Sequence, residues 1–119
     1  MKMLAAIHDN FSLTLQSWID DLRMDPVEVY QRARVSRQTW HKIISDRNYK
    51  PSKKTVICFA LALELSYYHA QMLLETAGYT LFGSSRFDIT IHYFLKKGIY
   101  DIQIINEQLY DLGEELLTN

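Results

Sequence analysis

The chain has 119 residues, a formal net charge of −1, 48% hydrophobic and 23% charged residues, which places it among globular domains able to bury one core and excludes a disordered or fibrous chain. One cysteine, Cys58, excludes an internal disulfide, and no apolar run is long enough to span a bilayer. The opening MKMLAAIHDNF lacks the apolar core of a secretory signal, so the expected compartment is the reducing cytoplasm.

Strand signals are poor, and Gly and Pro are scarce, at 4 and 2. Apolar residues recur instead at helical steps of three and four. Phe11, Leu15, Trp18, Ile19 and Leu22 predict a first helix over roughly 10–23. Asp25-Pro26 starts a second helix, with Val27, Val29, Tyr30 and Ala33 as its apolar positions. Ser36 caps a third helix over about 37–46, with Trp40, Ile43 and Ile44 facing inward. A polar loop over 47–52 follows. Ser52 caps a fourth helix over about 53–65, carrying Val56, Ile57, Phe59, Ala60 and Leu63. Ser66 caps a fifth over about 67–77, ending at Gly78. After the turn-like GYTLFGSS, Ser84 or Ser85 caps a sixth helix over 86–97, closed by Gly98. Asp101 caps a seventh over about 102–112, ending at Gly113. The expected fold class is all-α. The nearest thing to an internal boundary lies at 78–85, giving a domain over 1–79 and a helical extension over 80–119.

Charge is concentrated in one window. Between Arg34 and Lys54 stand seven Lys/Arg (Arg34, Arg37, Lys42, Arg47, Lys50, Lys53, Lys54) against one acid, Asp46. That window carries +6 in a chain of −1, so the remainder carries −7. Such a concentration points to an anionic partner. Helix two, the short turn Arg34-Val35-Ser36 and helix three have the spacing of a helix-turn-helix, in which the first helix braces the second for entry into the major groove.

On these residues the stretch 11–65 resembles the Xre/Cro family of phage and bacterial repressors. The matching elements are VEVYQRARVSRQTWHKI, the polar loop after it, and PSKKTVICFALALEL. The resemblance implies a five-helix domain that binds double-stranded DNA and regulates transcription as a repressor. It places the base-contacting positions on Arg37, Gln38 and Lys42, flanked by Thr39 and His41. Arg and Lys suit the guanine O6/N7 edge, and Gln the adenine N6/N7 edge. Ser36, Arg47, Asn48, Lys50, Ser52, Lys53 and Lys54 are the expected phosphate contacts. Tyr49 packs on a sugar or covers the core. The chain departs from the family at Tyr30, where a small residue is usual, at Arg34, where Gly is usual, and at Ser45, Asp46 and Asn48. The segment 86–113 resembles a C-terminal extension on small helix-turn-helix proteins of Firmicutes.

That extension is rich in large apolar residues on several faces. Phe87, Ile91, Phe94, Leu95, Ile105 and Leu109 are the expected contacts of a homodimer, and the competing expectation is that the extension completes the monomer core. Trp18 and Trp40 are spaced as core residues, and Cys58 as a small hydrophobe. Nothing points to catalysis. His8, His41, His69 and His92 are not at metal-ligand spacing, Asp20-Asp21 and Glu114-Glu115 are adjacent pairs that diverge around a helix, and there is no phosphate loop. No metal or cofactor is expected. The alternative function is a protein-interaction module on the same fold, such as a phage-encoded inhibitor or antitoxin, and the acidic remainder of the chain favours it.

Overall fold

A computed structural model describes residues 10–119; the leader reading of the first nine residues, and His8, lie outside them. The described residues form seven α-helices: α1 Phe11–Asp21, α2 Pro26–Arg32, α3 Arg37–Ser45, α4 Lys53–Ala62, α5 Tyr67–Thr76, α6 Arg86–Lys97 and α7 Ile102–Asp111. Every helix begins at a polar N-cap whose side chain accepts a backbone N–H: Asn10, Asp25, Ser36, Ser52, Ser66, Ser85 and Asp101. Such a cap satisfies one of the donors that a helix start leaves without a partner.

The helix ends share a second device. Val35 N–H donates to Tyr30 O, Leu65 N–H to Ala60 O and Ile99 N–H to Phe94 O, each reaching back across a residue of positive φ. Gly98 fills that position at φ 69°, but Arg23, Arg34 and Glu64 adopt it at 56°, 56° and 53°. A side chain there is strained relative to glycine, and the six-to-one backbone bond with an apolar residue packed against the core offsets the strain. Arg34 thus makes the tight turn between α2 and α3 without the glycine usual in the resembled family.

α4 is the central element, with Val56 through Ala62 all buried. Trp18, fully buried, and Trp40, 8% exposed, join one core to which all seven helices contribute. Two residues expected inside are outside: Val27 and Ile44 are 45% and 39% exposed. Each lies at the edge of a short helix whose other apolar residues, Val29 and Ile43, already fill the contact. In the extension, Ile91, Phe94, Leu95, Ile105 and Leu109 are buried, and Phe87 is half-buried. Five of the six are thus engaged in the chain's own core, as the competing expectation had it, and Phe94 also lines the groove between α6 and α7. The apolar residues that α6 and α7 do expose are Ile89, Tyr93, Ile104 and Tyr110.

Candidate nucleic-acid interface

The third helix is held from three sides. Trp40 stacks on Tyr30 of α2 at 5.5 Å between centroids and meets Phe59 of α4 at 6.0 Å, and Phe59 in turn meets Phe11 of α1 at 6.0 Å. Tyr30, standing where the resembled family usually has a small residue, thus adds a ring-on-ring contact between α2 and α3. At the far end, the buried Ser12 hydroxyl of α1 donates to Ile43 O at 2.6 Å. That bond satisfies a carbonyl in the last turn of α3. It was invisible in the sequence, because Ser12 reads as an ordinary polar position on an amphipathic helix.

With Trp40 and Ile43 inward, the opposite arc of α3 faces solvent. At 3.6 residues per turn, Arg37 and His41 form one row and Gln38 and Lys42 the next. All four are exposed. Arg37, Gln38 and Lys42 have no side-chain hydrogen bond or ion pair among the described residues. The N-terminal end of the helix adds the positive end of its dipole to that arc. Thr39 differs from the expectation. It is half-buried, its N–H donates to Ser36 Oγ at 3.0 Å, and the two hydroxyls lie 3.0 Å apart. Ser36 and Thr39 are thus engaged with each other in the cap, as Ser52 is with Thr55 on α4.

The loop after α3 is shaped by its own side chains. Asn48 N–H donates to Asp46 Oδ1 at 2.9 Å, and Tyr49 packs half-buried against the core. Tyr79 OH donates to Pro51 O at 2.8 Å, and the Lys50 ammonium stands 5.1 Å from the Tyr79 ring centroid. Arg47, Asn48 and Lys50 are exposed.

The seven cations of the basic window divide into two groups. Three are taken by the C-terminal extension. Lys53 Nζ lies 2.8 Å from Oδ2 of the buried Asp88, which also accepts the Phe82 N–H at 2.7 Å. Lys54 Nζ lies 3.2 Å from Glu115, and Arg34 donates to Thr118 Oγ1 at 3.3 Å. The expected phosphate role of Lys53 is therefore met by an internal carboxylate, because a buried charge needs a paired opposite charge. Lys54 is held more loosely, since Glu115 is 84% exposed and surface pairs are weak. The other four, Arg37, Lys42, Arg47 and Lys50, form no ion pair among the described residues.

Elsewhere the chemistry is sparse. Among the described residues no group of three His, Cys, Asp or Glu could hold a metal ion, and no helix is long and apolar enough to cross a membrane. His92 stacks on Tyr67 at 3.9 Å, and His69 meets Trp18 edge-on at 5.8 Å. Cys58 is buried, and desolvation pushes its thiol up to about 12. Comparison with protein-family models, with curated proteins and with solved structures finds no match.

Proposed function

We propose that this chain is a sequence-specific double-stranded DNA-binding protein, a repressor-like transcriptional regulator whose α2–turn–α3 unit is a helix-turn-helix with α3 as the reading helix. The observation that carries this is the exposed arc of Arg37, Gln38, His41 and Lys42 on a helix whose opposite side is fixed in the core. Such an arc fits the major groove, where forked and amide side chains read base edges. Arg47, Asn48 and Lys50 in the next loop are the phosphate contacts of this reading, and Lys54 joins them when Glu115 releases it. Selecting bound duplexes from a random pool tests it. Enrichment of a defined motif is the expected result, and an unenriched pool contradicts it.

A second reading is favoured by one observation. The basic window already accepts carboxylates at Lys53 and Lys54. An acidic protein surface would engage the remaining cations by the same chemistry, as in a phage-encoded inhibitor or an antitoxin. Under that reading duplex DNA gains no specific binding.

A further inference from the structure

We infer that the outer face of the α6–α7 hairpin docks a second copy of this chain, in antiparallel orientation. The two helices leave an apolar groove between them, lined by Ile89, Thr90, Tyr93, Phe94, Gln108 and Leu112. Ile89 and Tyr93 are 49% and 54% exposed on one wall, and Ile104, one turn before Gln108 on the other helix, is 47% exposed. Large apolar side chains gathered on one face of so small a chain mark a contact surface.

Charge at the two ends of this face selects the occupant. On α6 the row Ile89, Tyr93, Lys97 advances by one turn per residue, with the Lys97 ammonium 5.7 Å from the Tyr93 ring centroid. On α7 the row is Ile104, Gln108, Asp111. Each row ends in a charge at its own helix C-terminus. The helices run in opposite directions, so Lys97 marks one end of the face and Asp111 the other. Neither forms an ion pair among the described residues. Lys97 suits the C-terminus of α6, whereas Asp111 sits at the C-terminus of α7, where the helix dipole disfavours a carboxylate and Arg86 donates to Leu112 O without pairing with Asp111. A two-fold axis perpendicular to the hairpin exchanges the ends. It lays the apolar middle of one copy on that of the other and brings Lys97 of each onto Asp111 of its partner. A self-complementary patch of this kind is what an isologous interface requires. A parallel arrangement would instead oppose like charges.

The test is the oligomeric state of the full chain by sedimentation equilibrium, which needs no DNA and so is independent of the reading above. The expected result is a dimer at tens of micromolar. Lys97→Glu and Asp111→Lys should each weaken it by about tenfold, because each opposes like charges twice across the axis. The double variant carrying both changes should restore the parent affinity. Both sites are exposed, so far-UV circular dichroism should show all three variants folded like the parent. A monomeric parent chain overturns the proposal. So does a dimer that neither single change weakens, or one that the double change fails to rescue.

Discussion

Arg37 is the residue on which specificity is expected to turn. It stands in the first helical turn after the Ser36 cap, exposed and free of intramolecular partners among the described residues. Arg37→Ala should lower affinity for the selected duplex by ~1–3 kcal/mol and relax the preference at one base pair. Fluorescence anisotropy with the selected duplex and its single-base variants measures both. Unchanged discrimination would move the reading role away from Arg37. Cys58 makes the opposite case, a reactive group turned into packing. Its thiol is raised from 9.0 to about 12 by burial, outweighing the field of Arg34 and Lys54. The native protein should resist thiol reagents at pH 8, and denaturant should expose one reactive thiol. The sign for stability follows from linkage. Below pH 9 both folded and unfolded states keep the proton, and between 9 and about 12 only the unfolded state loses it. Stability should therefore be flat through neutrality on this account and fall above pH 9 relative to a Cys58→Ala control.

At the scale of elements, the helices were legible because their signals are local. Caps at Asp25, Ser36, Ser52, Ser66 and Asp101, and stops at Gly78, Gly98 and Gly113, place the observed spans within a few residues of the expected ones. What was not legible is every pairing made across the chain. Nothing near Asp88 in the sequence indicates that Lys53, 35 residues away, neutralises it, and nothing near Asn106 indicates that it accepts the Leu117 N–H at 2.8 Å. For the same reason the apolar richness of α6 and α7 could not be divided in advance between the chain's own core and a partner. The α4–α6 latch has a measurable consequence. Asp88→Ala removes the acceptor of both Lys53 and the Phe82 N–H, and should lower unfolding free energy by roughly 1–3 kcal/mol, since Lys53 is partly exposed and recovers some hydration. Urea denaturation reads this directly. A loss under about 0.5 kcal/mol, the range of ordinary surface changes, would show that the latch contributes little.

Across the whole molecule, one chain holds a cationic face and the acids that partly cover it. Glu115 is the exposed member of that set, so Glu115→Gln should leave thermal stability almost unchanged while freeing Lys54. The expected outcome is tighter binding to all duplexes alike, with one further counterion released. A change in sequence preference would place Glu115 or Lys54 in base reading. Arg47 and Lys50, the phosphate contacts that form no ion pair among the described residues, together with Lys54 once released, set the size of the central effect. The most direct measurement is the affinity of the full chain for its selected duplex across a salt series. Two to three phosphate-facing cations per chain imply a log–log slope of about −2 to −3 for each bound chain, diminished by roughly one unit in Lys50→Gln. A steep slope with that decrement is the result the DNA-binding account predicts. Affinity that is absent at low salt, or that salt does not alter, would contradict it.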